Sequence, residues 1–323
     1  MILSIIELFG GLIYLLIGGD LLVRGAAALS RRARISPMII GLTLVAMGTS
    51  APELVVSVRA VLTGHPGLAL GNVVGSNITN VLLVIGLPAL VAALLCDSRT
   101  VRTDTGIMLG ASVLFIALCL NGALSRVDGI VLLAGLVLFV GYTARVAKAE
   151  PDLLAQTGEL DRALGLPTRR RMIALLIGFG IIALPIGAEL MIVGAVDIAS
   201  RLGVSEAVVG LTIVAVGTSL PELATTSVAA FQRHSDVAMG NVLGSNVINL
   251  VGIMGVSAVL SPATIPVPDA FLRLDLPVML AAALALSWYT MRRARIGRPA
   301  GIVLVIAYVL YVLVLFEPGI RHS

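Results

Sequence analysis

Two glutamates sit where hydrocarbon is expected. Glu53 lies in GLTLVAMGTSAPEL, residues 41–54, and Glu222 takes the same place in GLTIVAVGTSLPEL, residues 210–223. Both fall in the middle of apolar stretches, where a carboxylate is costly and marks a functional site by default. The alternative is neutralisation by a buried arginine. No arginine lies near either glutamate's mid-stretch position; Arg59 is six residues on, toward the edge. The neighbours are hard oxygen donors. On a continuous helix Thr49, Ser50 and Glu53 fall within one turn, with Thr49 and Glu53 on one face. Thr218, Ser219 and Glu222 repeat the set. Pro52 and Pro221 have no N–H, and their rings crowd the carbonyls of Gly48 and Gly217, which become free to act as ligands.

A second block adds oxygen. Ser76 and Asn80 share a helix face in GNVVGSNITN, residues 71–80, as do Ser245 and Asn249 in GNVLGSNVIN, residues 240–249. Hydroxyls, carbonyls and carboxylates suit sodium and calcium and not soft transition metals. Gly71, Gly75, Gly240 and Gly244 are spaced four apart and read as helix-packing positions. Asp20, Glu189 and Asp197 are weaker candidates, lining an ion pathway or sitting in solvated ends. His65 and His234 read as loop residues, and Glu7 as interfacial. Cys96 and Cys119 make no metal spacing and read as small packing residues. The sequon Asn77-Ile-Thr79 lies inside an apolar stretch and is expected to be inert.

The elements that position these residues are transmembrane helices. Of 323 residues, 58% are hydrophobic and 12% charged, against roughly 45–50% and 25% in a soluble domain; mean hydropathy is +1.06. A soluble chain this apolar could not cover its surface, which excludes a cytosolic enzyme, a disordered chain and a secreted disulfide scaffold. Ten stretches are long enough to cross about 30 Å of hydrocarbon: 3–29, 37–62, 68–95, 106–121, 127–147, 172–200, 206–230, 237–260, 271–290 and 300–316. The first is too long for a signal peptide and is kept in the fold. Sixteen Lys and Arg fall in connections on one side and four on the other, so the positive-inside rule puts both termini outside and the 148–171 loop in the cytoplasm. The basic excess is therefore topological, and no nucleic-acid partner is expected. With no GxxxxGK[ST] loop, neither is a nucleotide. GTSAPE is not a GxSxG elbow, so the chain reads as a non-enzyme with no cofactor.

The glutamate blocks are copies. At an offset of 169, eleven of fourteen and seven of ten positions are identical, His65 pairs with His234 and Asp20 with Glu189. One offset holds from about residue 18 to 81. Five spans separate the copies, so the second enters the membrane upside down, the architecture of secondary transporters with a midplane site. The expected fold is an all-α membrane protein of ten helices in two inverted five-helix repeats, 1–147 and 172–323, joined by the cytoplasmic loop 148–171.

The motif pair GTSAPE…GNVVGSNITN and GTSLPE…GNVLGSNVIN closely resembles the two alpha repeats of sodium/calcium exchangers, in the calcium/cation antiporter superfamily. The resemblance covers nearly the whole chain. It implies that Glu53 and Glu222 bind calcium at the centre. It also implies that Thr49, Ser50, Thr218, Ser219, Ser76 and Ser245, with the carbonyls of Ala46 and Ala215, serve calcium and flanking sodium sites. Family members commonly carry Asp at the last position of the second GNxxGSNxxx block; this chain has Asn249, matching Asn80. The resulting expectation is an antiporter in the plasma (inner) membrane exchanging calcium for sodium, a monomer being sufficient. A proton-coupled calcium antiporter and, more distantly, a passive cation channel stay open at this point.

Overall fold

Inside a bilayer no water is present to bond backbone groups, so each spanning segment must satisfy its own N–H and C=O groups. The computed structural model describes residues 2–33, 35–96, 99–149, 167, 169–201, 215–292 and 295–315, and these are almost wholly helical. The helices are α1 (Ile2–Ala33), α2 (Pro37–Thr49), α3 (Ala51–Leu62), α4 (Pro66–Ala89), α5 (Arg99–Cys119) and α6 (Arg126–Ala149). There follow α7 (Arg170–Arg201), α8 (Ala215–Gly217), α9 (Leu220–Phe231), α10 (Ser235–Leu260), α11 (Phe271–Met291) and α12 (Arg298–Leu315).

Among the described residues eight helices are long and apolar enough to span, and α2 with α3, bent by 46° at their break, pass the same test of length and composition only when taken together. The expected tenth, 206–230, is described only from Ala215; its residues 206–214 lie outside the described set. The outer helices turn large apolar side chains outward, among them Phe9 and Ile13 on α1, Leu138 on α6 and Phe179 on α7. An exposed apolar belt of this kind fits lipid and not water.

α4 and α10 are enclosed by the other helices. The long helices α1 and α7 run antiparallel with their backbones nearly touching. A Cβ at Gly11 would lie 2.6 Å from the Gly187 carbonyl oxygen, and one at Gly194 would lie 2.5 Å from that of Ser4. Without a hydrophobic drive between helices in lipid, such close approach supplies the attraction. Two short antiparallel pairings tie the connections together. β1 (Ala123–Leu124) pairs with β2 (Ile265–Pro266), and Leu94 makes an isolated bridge to Ile296.

The break between α2 and α3 corrects one expectation. Thr49 and Glu53 do not share the face of one continuous helix, because the chain turns at Ser50 (φ −84°, ψ 8°). Pro52 sits in the first turn of a new helix, where a missing N–H costs nothing. Ser219 adopts nearly the same angles (φ −88°, ψ 5°) between α8 and α9, and Pro221 starts α9 in the same way.

Candidate functional site

Each break places a carboxylate in the first turn of the helix that follows it: Glu53 on α3 and Glu222 on α9. They are 1% and 0% exposed. The partial positive charge of a helix N-terminus favours an acidic side chain there. The last carbonyls of α2, Ala46 among them, converge on the Ser50 break; the Ala46 oxygen already accepts from Ser50 N–H at 3.0 Å and from Thr49 Oγ1 at 3.3 Å. Ala215 opens the short helix α8. α4 and α10 supply the second blocks, and each relaxes into a wider π turn there, at Asn80–Val84 and Ile248–Ile253. Such turns re-aim side chains and gather at functional sites.

All ten polar candidates are buried: Thr49, Ser50, Glu53, Ser76, Asn80, Thr218, Ser219, Glu222, Ser245 and Asn249. Ser50 Oγ donates to Glu222 Oε1 at 2.9 Å, and Ser245 Oγ donates to the same oxygen at 3.5 Å. Asn80 Nδ2 donates to Asn246 Oδ1 at 3.2 Å. The remaining acceptors have no partner among the described residues: both carboxylate oxygens of Glu53, Glu222 Oε2, Asn80 Oδ1, Asn249 Oδ1 and the hydroxyls of Ser76 and Ser219. Buried polar atoms are nearly always satisfied, so such a cluster calls for an explanation. A hard cation bound among oxygens is the ligand whose chemistry matches the set.

Two residues essential to this arrangement were not singled out in the sequence. Asn72 and Asn241 cross-link the copies. Thr218 Oγ1 donates to Asn72 Oδ1 at 3.3 Å, and Thr49 Oγ1 donates to Asn241 Oδ1 at 3.1 Å. Asn72 Nδ2 donates to the Glu53 carbonyl at 3.2 Å and to Ser57 Oγ at 2.9 Å. Asn241 Nδ2 does the same to the Glu222 carbonyl at 3.4 Å and to Thr226 Oγ1 at 3.0 Å. Both asparagines close the GN pairs that begin the repeated blocks, and that repetition was the available signal.

The glycine expectation holds in one copy only. A Cβ at Gly240 would lie 2.4 Å from the Met38 carbonyl oxygen, and one at Gly244 would lie 2.2 Å from that of Leu42, so α10 packs directly on α2 there. Gly71 and Gly75 instead line a cavity of about 470 Å³. Among the described residues only Phe271 comes within 4 Å of either Cβ position, at 3.8 Å from that of Gly71. This cavity also touches Asn72, Ser76 and Thr218, and it runs to the bundle end where α4 and α11 begin.

The weaker candidates lie apart from this cluster. Asp20 pairs with Arg24 at 2.9 Å and accepts from Gln232 at 2.6 Å. Asp197 lies beyond the apolar stretch of α7, where hydrogen bonds from Arg201 and Ser4 hold its carboxyl below its ordinary range. Glu189 is exposed on α7.

A helical membrane bundle with carboxylates at two helix breaks belongs to the class of ion-coupled secondary transporters. Residues 3–145 and 172–317 match the model of the sodium/calcium exchanger protein family, and the chain belongs to that family. It is 36% identical to the sodium/calcium exchanger MaX1 of Methanosarcina acetivorans, over 95% of this chain and 96% of that one. It is 36% identical to the inner membrane protein YrbG of Escherichia coli, over 98% of both. Its fold is similar to that of the sodium-calcium exchanger NCX_Mj, at a TM-score of 0.83 and 30% identity, covering 98% of this chain and 99% of the other.

Proposed function

We propose that this protein exchanges calcium for sodium by alternating access, with Glu53 and Glu222 as the charged ligands of the calcium ion. The observation that carries the reading is the cluster of buried, unpartnered acceptors drawn from both copies at the two helix breaks. In this reading Thr49, Thr218, Ser50, Ser219, Ser76, Ser245, Asn80 and Asn249, with the Ala46 and Ala215 carbonyls, complete the calcium and flanking sodium sites. No cofactor takes part. The halves 1–147 and 172–323 are inverted repeats of five spans each around the 148–171 loop. The antiparallel packing of α1 and α7 and the two helix breaks support it. The uneven distribution of Lys and Arg supports a cytoplasmic loop with both termini outside. The cavity beside Ser76 and Thr218 then opens outward.

Charge explains why exchange and not leak results. Two carboxylates match one calcium ion, so the loaded site is neutral. An empty site carries −2 in a low-dielectric centre, where uncompensated charge is costly. Loaded, it switches sides; empty, it does not. The deciding experiment is calcium flux in proteoliposomes with sodium, potassium or pH gradients imposed one at a time. The expected result is calcium uptake driven by the sodium gradient alone. Uptake that follows only the pH gradient would reassign the coupling ion to the proton, and flux with no counter-cation would indicate a channel.

A further inference from the structure

Asp20 and Glu189 hold matching places in the two copies, at the offset of 169 that relates the glutamate blocks. Their surroundings differ. Asp20 on α1 accepts from Gln232 Nε2 at 2.6 Å, just past the end of α9, and pairs with Arg24 at 2.9 Å. The residue matching Gln232 is Thr63, just past the end of α3. Glu189 on α7 is exposed and makes no bond to it. Thr63 Oγ1 donates instead to the Arg59 carbonyl of its own helix at 2.9 Å. The turns themselves are alike. His65 N–H donates to the Ala60 carbonyl and His234 N–H to that of Ala229, both at 2.8 Å. Gly64 and Arg233 both have positive φ, 81° and 61°. The difference therefore lies between helices and not within the turns.

Helix packing shows the same asymmetry. α1 lies along α9: a Cβ at Gly19 would be 3.3 Å from the carbonyl oxygen of Ala224, which is buried. Among the described residues α7 makes no comparable contact with α3. Val55, which matches Ala224, is 65% exposed. Beside it, Val56 lines the cavity that reaches Ser76 and Thr218. Thr225 matches Val56 but is wholly buried, and its hydroxyl has no partner among the described residues. Leaving such a group unsatisfied is costly, and a state that wets it removes the cost. One end of the bundle is shut where Asp20 holds Gln232; the other is open where Glu189 and Thr63 stand apart.

We propose that Asp20 and Glu189 are positioning residues that hold the two ends shut in turn. In the state described here Asp20, through Gln232, holds α9 and its Glu222 against α1. In the opposite state Glu189, through Thr63, holds α3 and its Glu53 against α7, and Thr225 faces the opened cavity. The inference rests on the exchange reading above, in which inverted halves trade roles when the site switches sides. Neither carboxylate touches the ion. The side-chain lengths suit the partners: a short Asp faces a long Gln, and a long Glu faces a short Thr. Hydrogen bonds between helices in lipid are modest, so one can be exchanged for the other without trapping either state.

The test uses the full chain in nanodiscs, where both faces are accessible, with Cys96→Ala and Cys119→Ala in every variant. Val56→Cys and Thr225→Cys, in separate chains, are labelled with a membrane-impermeant thiol reagent at saturating calcium and again at saturating sodium. The ratio of the two rates, Val56→Cys over Thr225→Cys, reads the balance between the two open states. Asp20→Ala or Gln232→Ala should lower it about three- to tenfold, the scale of one interhelical bond in lipid. The double variant should lower it no further than either alone. Glu189→Ala or Thr63→Val should raise it by a similar factor. Shifts in the same direction for both pairs, an unchanged ratio, or an additive double variant would overturn the proposal. Loosened packing alone would not move the ratio in opposite directions. Sodium-driven calcium flux in proteoliposomes is read separately. Its absence in the wild type refutes the exchange reading, while the labelling ratio still decides this one.

Discussion

Ser50 donates to Glu222 across the boundary between the two sequence copies, at 2.9 Å, and the equivalent bond from Ser219 to Glu53 is not made. Two near-identical motifs thus stand in different states within one molecule. Ser50→Ala leaves a buried acceptor short of its best donor, a loss of roughly 1–3 kcal/mol. Ser219→Ala removes no such bond. Thermal unfolding in calcium-free detergent solution should show a lower Tm for Ser50→Ala than for Ser219→Ala. Equal Tm values would contradict the asymmetry.

The carboxylates should be individually indispensable. Glu53→Gln or Glu222→Gln leaves a calcium ion half-compensated in a low-dielectric site, so each is predicted to abolish calcium transport while the protein still inserts and folds. Wild-type-like flux in either variant would remove that residue from the site. In the wild type, efflux from calcium-loaded vesicles should require sodium or calcium outside. Rapid efflux into choline buffer would contradict the charge argument.

Asn72 and Asn241 each satisfy three buried groups at once. Asn72→Ala and Asn241→Ala should each lower stability by about 1–3 kcal/mol for every group left unpaired. Transport should fall with it, because the carbonyls of Glu53 and Glu222 lose their tether. Melting curves that overlay the wild type would show that these bonds are not structural.

The glycines of the second blocks should respond unequally. Gly244→Ala drives a methyl group into the Leu42 carbonyl and should cost about 1–3 kcal/mol or more by overpacking. Gly75→Ala adds a methyl group to a cavity wall and should be tolerated in both folding and expression. Comparable yields and melting temperatures for the two variants would argue against direct packing of α2 on α10.

The sequence by itself determined the membrane class and the position of nearly every span, and it singled out the two buried glutamates. These follow from local quantities: apolar run length, a carboxylate in hydrocarbon, and a repeat at fixed offset. Proline placement in the sequence pointed to a disturbed helix, yet not to its form. A proline four residues after a carbonyl fits both a kink and a fresh start. Only the turn at Ser50 in the folded chain selects the fresh start. Nor does the order of residues say which asparagine in GNxxGSNxxx holds the halves together. Asn72 meets Thr218, and Asn241 meets Thr49, only because the copies cross in space. The sequence fixes which oxygens are available; the crossing of α2, α4, α9 and α10 decides which are left unpaired.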